Sequence, residues 1–359
     1  MATIGLGMPS IDIVFKEAGI QAIRRGKQGV VALILKDAAT VSPHRLINIK
    51  DIPEELSEFN QDQIKKAFLG YQTPPREVLI YVQSEETTGY TDAFAFLETE
   101  DWDWLAIPEV LEDETLDVAT WIKQMRTNEL KKVKAVLPNT PADHEGVVNF
   151  TTDEILVGDR VYSTAEYAGR IAGLIAGTPL KIASTFAPLP EVSSVKYLSK
   201  ADREDAINNG EFILFHDGQK VKVARGVNSF ITTMDDKLDS FKKIKIVEAM
   251  DLIHDDIKRT AEDSYIGKYP NSYDNKCLLI TAIQAYFEGL EMDEIVALGS
   301  TNVSLNIAKQ INFLRGKGVD VEAMSVKDLK QADTGSNVFL LAQTKILDAI
   351  EDIDLEIVI

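Results

Sequence analysis

The chain has 359 residues, of which 45% are hydrophobic and 26% charged, a composition typical of a folded protein with two or three cores. Its formal net charge of -19 disfavours general binding to nucleic acid or anionic lipid, because both partners would then be negative. The single cysteine, Cys277, suits a reducing cytoplasm. The sequence has no signal-like start and no apolar run of about 18 residues. We therefore expect a protein that is made and assembled in the cytoplasm without membrane insertion.

The first predicted element is a short strand near the N-terminus. Ile11, Ile13 and Phe15 follow Pro9 at alternate positions. Chain ends fray unless something holds them, so this strand pairs either inside its own subunit or with the sheet edge of a neighbour. Burial of the three side chains would contribute about 5 to 9 kcal/mol and ladder hydrogen bonds about 5, against about 7 to 14 for ordering the segment. These terms nearly cancel, so we expect an N-terminal arm that becomes ordered only when it docks.

Between residues 30 and 150, strand-like apolar runs alternate with helix-like segments. The predicted strands are 30–35, 78–82, 104–107 and 133–137, and the predicted helices are 61–68, 91–97 and 115–129. Strand and helix in repetition predict an α/β fold whose largely parallel sheet is covered by helices. The buried face of the last helix is predicted to consist of Leu116, Ala119, Ile122 and Met125.

The rest of the chain is predicted to divide near residue 234. Turns at Gly158 and Gly218 predict hairpins that join residues 155–157 to 161–162 and residues 212–215 to 220–224. They complete a mixed α/β body over residues 30–233, within which residues 30–90 form either part of the body or a small subdomain. After a polar stretch, helical spacing over 241–261 and 275–290 and a strand-like run at 338–347 predict an α+β domain over residues 234–350.

A second terminal strand is predicted at residues 353–359. Ile353, Leu355, Ile357 and Ile359 occupy alternate positions there. Residues 346–359 contain five acidic residues and no basic one, whereas four basic residues against two acidic ones give residues 1–30 a net charge of +2. Complementary ends favour head-to-tail contact between copies, although each exposed ion pair contributes little.

Five segments spread along the chain carry recognisable motifs. They are AGRIAGLIAGTPL at 168–180, VARGVNS at 223–229, NSYDNKC at 271–277, PSIDIVFK at 9–16 and EDIDLEI at 351–357. Together these segments resemble the sheath proteins of contractile phage tails, in particular the compact sheaths of phage-like elements and R-type bacteriocins of Gram-positive bacteria. The resemblance covers nearly the whole chain.

The resemblance implies an outward-facing middle domain with a subtilisin-like fold and an inner domain that lies against the tail tube. These would be residues 30–233 and 234–350, with residues 1–29 as an N-terminal arm and linker and residues 351–359 as a C-terminal arm. In the family, the arms add strands to neighbouring subunits and join hexameric rings into a helical cylinder. The implied partners are other copies of the chain and the tube, baseplate and tail terminator proteins. Such a cylinder contracts to drive the tube through the target cell envelope, and it passes from the host cytoplasm into the released particle.

The motif at 168–180 also has a packing interpretation of its own. Gly169, Gly173 and Gly177 recur every four residues, which gives a helix one smooth face that another backbone can approach closely. The short length, Arg170 and the closing Pro179 argue against a membrane helix. We therefore expect a buried core helix.

The motif at 223–229 is interpreted as a tight turn. Arg225, Gly226 and Asn228 directly follow a predicted strand, where glycine and asparagine favour a change of chain direction. We expect a structural role for these residues and no ligand.

The sequence predicts no catalytic, cofactor or metal site. The four histidines are His44, His144, His216 and His254. None has the context of a catalytic triad, although a subtilisin-like fold invites that search. The GxG at residues 5–7 is not followed by a helix, no phosphate-binding loop motif occurs, and His254 lacks a second histidine at metal-ligand spacing. The alternatives to a sheath are an oligomeric cytosolic α/β enzyme and another tail or baseplate component.

Overall fold

The computed structural model describes residue 23 and residues 29–39, 41–235 and 237–358. The predicted N-terminal strand at Ile11, Ile13 and Phe15 lies outside these residues, as does Ile359. The described strands are β1 (Val30–Lys36), β2 (His44–Leu46), β3 (Glu77–Gln83), β4 (Trp104–Ala106), β5 (Lys134–Pro138), β6 (Val147–Phe150), β7 (Ile155–Val157), β8 (Arg160–Tyr162), β9 (Glu211–Phe212), β10 (Leu214–His216), β11 (Val221–Val223), β12 (Asn302–Leu305) and β13 (Leu340–Gln343). The described helices are α1 (Glu58–Phe68), α2 (Thr91–Thr99), α3 (Thr115–Thr127), α4 (Thr164–Ala176), α5 (Lys200–Asn208), α6 (Ile244–Ser264), α7 (Tyr273–Met292), α8 (Ile307–Gly316) and α9 (Val326–Gln331), with 3-10 turns at Ile49–Asp51 and Asp239–Lys242.

A mostly parallel sheet organises the first of two parts of the described chain. Seven of the described strands pair in the order β2-β3-β1-β4-β5-β6-β9, and among these only β2 runs antiparallel to its neighbour. Strand β1 is buried on both faces, with Val31 and Leu33 in the core that also contains residues of α1 and α4. Its Ala32 and Ile34 lie in the core on the side of α2 and α3. The predicted α/β class with a central, largely parallel sheet is confirmed.

The strands and helices predicted before residue 150 are all present. The largest difference is at α1, which begins at Glu58 where the apolar spacing predicts residue 61. The earlier start has a local cause, because the Ser57 hydroxyl caps the helix by accepting a hydrogen bond from Asn60 N (3.3 Å). Residues 30–90 contribute strands to the main sheet, in which β1 pairs with both β3 and β4.

Two predictions for this part are wrong in detail. Phe212 belongs to β9, which pairs with β6 in the main sheet, so the second hairpin consists only of β10 and β11. Leu116 is 60% exposed, and the buried face of α3 is formed around Val118, Ile122 and Met125. The error has a geometric cause: successive steps of three residues each rotate by about 300° around a helix, so the predicted run drifts off a single face.

The second part of the described chain combines a helical pair with a small sheet. Helices α6 and α7 share an apolar cluster that includes Leu252, Phe287 and Val303, and Ile23 packs against it. Strands β12 and β13 pair antiparallel, and α8 and α9 form a small cluster between them in sequence. Helices α6 and α7 match the predicted 241–261 and 275–290, whereas the strand predicted at 338–347 shortens to β13. Residues 353–358 pair with no strand of the described chain, so the strand predicted at 353–359 is not formed by pairing within these residues, and its pairing with a neighbouring copy stays a prediction.

Candidate assembly surfaces

The free part of the C-terminal arm, residues 353–358, exposes its apolar side chains. Ile353 is 81% exposed, Leu355 and Ile357 are each 73% exposed, and Val358 is 88% exposed. A run of exposed large apolar residues is characteristic of a surface that another molecule covers. Because these residues have no strand partner in the described chain, their backbone groups are also open to pairing.

The small sheet formed by β12 and β13 has two edges that differ in access. On the outer side of β12, the amide of Val303 donates a hydrogen bond to Gln284 Oε1 in α7 (3.1 Å), so a side chain already occupies that edge. Leu341, Ala342 and Gln343 of β13 are exposed, and no further strand of the described chain pairs with the outer side of β13. The edge of β13 is therefore the open one.

The root of the C-terminal arm and the residues just before it are bound to the rest of the protein by contacts named here the arm anchor. Its acidic members are Asp348, Glu351 and Asp352, and their partners are Thr185, Arg225 and Lys243. Thr185 Oγ1 donates to Glu351, whose Oε2 lies 3.5 Å from both Arg225 Nε and Lys243 Nζ. Arg225 Nη2 donates to Asp352 Oδ2 (2.5 Å), and Lys243 binds Asp348. The Glu351 side chain is 5% exposed and Ile353, two residues later, is 81% exposed, so the chain passes from buried to exposed over that distance.

The glycines of the signature helix α4 lie against neighbouring elements. A Cβ atom on Gly173 would lie 2.0 Å from Ala67 O in α1, and one on Gly177 would lie 2.1 Å from Thr73 O. At Gly169 the nearest atom would be 3.4 Å away, at the end of a leucine side chain, which is ordinary contact. Close approach of backbone therefore requires glycine at two of the three positions.

Arg170 is buried in the same helix. Its Nε donates to Glu191 Oε1 (2.6 Å) and its Nη1 donates to Gly70 O (2.8 Å), while Tyr167 donates to the same Glu191 oxygen (3.0 Å). Burial raises the pKa of Glu191, but the charge of Arg170 outweighs this and holds the pKa below its ordinary value. Arg170 thus connects α4 to two loops, and Pro179 lies exposed just beyond the end of the helix.

The turn motif joins the sheet to the start of α6. The amide of Gly226 donates to Thr185 Oγ1 (2.9 Å), and a Cβ atom on Gly226 would lie 2.6 Å from Ser184 Oγ. Asn228 Nδ2 donates to Phe241 O (2.7 Å) in the 3-10 turn before α6. Gly226 and Asn228 therefore fix the backbone at this junction, while Arg225 pairs with the acidic residues of the arm anchor.

The motif at 271–277 holds the loop that leads into β13. Asn271 Nδ2 donates to Gly335 O (2.6 Å) and Asn337 O (3.1 Å). The buried Lys276 donates to Thr334 Oγ1 (3.0 Å) in the same loop. These contacts position the open strand β13 relative to α7.

A buried group of charges, the interface ion cluster, connects the sheet to α6. Arg126 in α3 makes two parallel hydrogen bonds of 2.9 Å to the carboxylate of Asp251 in α6. Lys134 in β5 lies 2.8 Å from Glu248 Oε1 and 3.0 Å from Asp251 Oδ2. Sequence reasoning missed this cluster. Its signals were Lys134 inside an apolar strand and Asp251 seven residues after the buried Ile244, on the apolar side of α6.

Mutual pairing keeps the central members of the cluster charged. Burial raises the pKa of Asp251, but Lys134 and Arg126 together hold it below its ordinary value. Burial lowers the pKa of Lys134, but Glu248 and Asp251 raise it above its ordinary value. The pKa of Glu248 is raised, because its burial outweighs the effect of Lys134.

The histidine beside this cluster does not form a catalytic group. Burial lowers the pKa of His144 to about 4, and its Nδ1 accepts a hydrogen bond from Gly146 N (3.0 Å). The hydroxyl of Ser229 donates to the backbone oxygen of His144 (3.0 Å) and not to the ring, so no triad forms.

In the described residues no group of three His, Cys, Asp or Glu side chains is arranged to hold a metal ion. None of the described helices has the length and apolarity needed to cross a bilayer.

Comparison with protein families gives two adjoining matches. Residues 84–229 match a phage tail sheath protein central domain, and residues 236–359 match a phage tail sheath C-terminal domain. The chain is 39% identical over 357 residues to the tail sheath protein of Clostridium phage phiCD119, which covers 98% of this chain and 99% of that protein. It is 32% identical over 178 residues to the phage-like element PBSX protein XkdK of Bacillus subtilis, covering 47% of this chain and 37% of that protein.

Solved structures share the fold at low sequence identity. A sheath tail protein from Desulfitobacterium hafniense superposes with a TM-score of 0.71 and 17% identity, covering 83% of this chain and 94% of that one. The helical sheath of the anti-feeding prophage in its contracted state superposes with a TM-score of 0.72 and 15% identity, covering 98% and 99%. These similarities extend the match of folds over nearly the full length of the chain.

Proposed function

The chain belongs to the phage tail sheath protein family, and on this premise we propose that its subunits build a contractile cylinder by lending their terminal segments to neighbouring copies. It is a structural subunit of a contractile tail sheath and not an enzyme.

The observation that carries the proposal is that one subunit has both an exposed arm and a strand with an open edge. Residues 353–358 carry alternating apolar side chains without a cover, and β13 has an edge to which no strand of the described chain is paired. An added strand would satisfy the backbone groups of both segments, and its alternate side chains would supply specificity. We expect Ile353, Leu355, Ile357 and Ile359 to be the contact residues, with Ile11, Ile13 and Phe15 acting in the same way at the other end of the chain.

Residues 30–233 are proposed to form the outer domain and residues 234–350 the inner domain that faces a tail tube. Subunits would form hexameric rings stacked into a helical tube, because a head-to-tail contact that does not close generates a filament. The tube protein, baseplate proteins and a tail terminator are the proposed further partners. Assembly would take place in the cytoplasm of a bacterial host, before the sheath becomes part of a released tail or tail-like particle.

Contraction is proposed to be a rigid-body rotation of subunits that stay connected through their arms. An extended lattice that is kinetically trapped needs no nucleotide if the contracted lattice buries more surface. The left-handed backbone of Gly29 (φ +100°), directly before β1, supports a bend between the N-terminal arm and the body.

Separate truncations of residues 1–16 and 352–359 test the arm exchange. Each variant is expected to remain a folded monomer by circular dichroism and size-exclusion chromatography, and to form no tubes in negative-stain micrographs. The double substitution Asp354→Asn and Glu356→Gln is the matched control, because it keeps the apolar positions of the C-terminal arm and should retain tubes. Normal tubes from both truncations would contradict arm exchange, and particles with a small fixed copy number would indicate another tail component.

A further inference from the structure

We infer that Arg225, Lys243 and Glu351 are positioning residues, which fix the root of the C-terminal arm and prevent the arm from folding back onto its own β13. This inference rests on the proposed arm exchange but concerns a different property, the state of the arm within a single subunit. Three structural observations support it.

The first observation is that the arm anchor draws on residues from three connecting segments that are far apart in the sequence or belong to different turns. Thr185 and Arg225 belong to the sheet-containing part, on either side of β9 to β11 in sequence, and Lys243 directly precedes α6. All three contact Glu351. One oxygen of Glu351 accepts the hydrogen bond from Thr185, and the other lies between two cations at 3.5 Å, so release of this carboxylate would separate it from both kinds of partner. The chain is therefore expected to leave the body at one defined point.

The second observation is the sharp change in exposure after the anchor. The Glu351 side chain is 5% exposed, whereas Ile353 is 81% exposed. Free length therefore begins after Asp352, and an extended chain from Glu351 to Val358 reaches about 25 Å. The position of the anchor and this reach together limit which neighbouring strand the arm can join.

The third observation concerns the alternative partner inside the same subunit. Residues 344–347 continue beyond β13, where Ala297 N donates to Lys345 O (2.8 Å) and Leu347 N donates to Ile295 O (2.9 Å). For the arm to pair with the open edge of β13, residues 348–352 would have to form a hairpin turn. Asp348, Glu351 and Asp352 are held instead by the body, so the residues that such a turn requires are already engaged.

Limited proteolysis of the purified subunit with a glutamate-specific protease tests the anchor without assembly. Cleavage after Glu356 releases residues 357–359, and cleavage after Glu351 releases residues 352–359, so mass spectrometry separates the two events. In the unmodified chain we expect rapid cleavage at Glu356 and slow cleavage at Glu351. Arg225→Ala with Lys243→Ala is expected to accelerate cleavage at Glu351 by about tenfold or more, because cleavage follows the population of the released segment.

Two further variants separate positioning from general destabilisation. Arg225→Lys retains a positive charge and should keep Glu351 protected. Arg315→Ala removes an exposed ion pair with Glu322 elsewhere in the chain, and it should leave both cleavage rates unchanged. The inference is overturned if Glu351 is cleaved equally fast in the unmodified chain and in the double variant.

Assembly provides the second readout. Glu351→Gln should reduce the yield of tubes relative to the unmodified chain, whereas Glu356→Gln in the free arm should not. If the unmodified chain itself forms no tubes, the proposed arm exchange fails while the proteolysis result still decides the anchor. Tubes at the unmodified yield from the Arg225→Ala and Lys243→Ala double variant, in which Glu351 is readily cleaved, would refute positioning by the arm anchor.

Discussion

The sheet-containing body and the C-terminal segment both contain charged contacts, but in very different surroundings. In the interface ion cluster, the side chains of Arg126 and Asp251 are each 5% exposed and share two hydrogen bonds. In the arm anchor, the side chain of Arg225 is 31% exposed and that of Asp352 is 84% exposed. An arginine–aspartate pair is therefore almost excluded from solvent in the interface ion cluster and largely hydrated in the arm anchor.

This difference separates folding from assembly. Removal of one partner from a buried pair leaves a charge without solvent or counter-charge, so the free energy of unfolding falls steeply. Water replaces a lost partner at the surface, and an exposed pair contributes little to stability. The body therefore depends on its charges to stay folded with α6 in place, whereas the exposed residues from Asp352 onward can vary their contacts at little cost to the stability of the subunit.

The largest expected effect is at the centre of the interface ion cluster. Asp251→Ala leaves Arg126 and Lys134 buried without their shared carboxylate, and we expect the free energy of unfolding to fall by about 3 to 5 kcal/mol. Urea denaturation followed by fluorescence measures this change. Asp255→Ala, on the same helix but at a half-exposed position, is the control and should change the free energy by less than about 0.5 kcal/mol. Equal losses for the two variants would show that burial of the pair is not what stabilises the junction.

A somewhat smaller effect is expected where α4 meets α1. Gly173→Ala places a methyl group against the backbone of Ala67, which has no freedom to move aside, and should lower the free energy of unfolding by about 2 to 3 kcal/mol. Gly169→Ala is the matched control in the same helix, since its added methyl meets only a side chain at contact distance. We expect it to be neutral or slightly stabilising, because alanine favours helix more than glycine does. Thermal denaturation of both variants compares them directly, and similar losses would contradict the close approach.

The pH dependence of stability tests the burial of His144. Its pKa is lowered to about 4 in the folded protein, whereas an unfolded chain has an ordinary histidine pKa of about 6.5. Between these values only the unfolded state binds the proton, so the contribution of His144 to stability decreases as the pH falls from about 6.5 to about 4. His144→Asn should therefore make the stability curve shallower in this window. Parallel curves for the variant and the unmodified chain would contradict this.

The smallest effect on stability is expected in the C-terminal arm. Simultaneous replacement of Ile353, Leu355 and Ile357 by serine removes only exposed side chains, so the free energy of unfolding should change by less than about 0.5 kcal/mol. The same variant should lose tube formation in negative-stain micrographs. A marked loss of stability would mean that the arm is packed against its own subunit.

The sequence allowed the sheet body to be predicted well because its signals are local. Alternating and continuous apolar runs locate β1, β3, β4 and β5, and the repeated order of strand and helix predicts a parallel sheet. Small errors arose where the signal is not local. Phe212 was assigned to a hairpin because a turn follows it nearby, yet it pairs with β6, a strand more than fifty residues earlier in the chain.

The exposed terminal strand pattern and the family motifs were also evident from the sequence, but not the contacts of those motifs. Arg225 was interpreted as part of a turn, and nothing in its neighbourhood indicates that it binds Asp352, which is 127 residues away. Lys134 and Asp251 each stand out as charges among apolar residues, yet they are 117 residues apart and only the packing of α6 on the sheet brings them together.

The sequence by itself therefore determined the fold class, the family and the apolar pattern of the C-terminal arm, because these depend on residue types at fixed local spacing. Only the tertiary structure decided which charges are buried against each other, which edge of the small sheet is open and where the arm leaves the body. Those properties depend on the distance in space between segments that are far apart in the chain. Local residue patterns do not specify that distance.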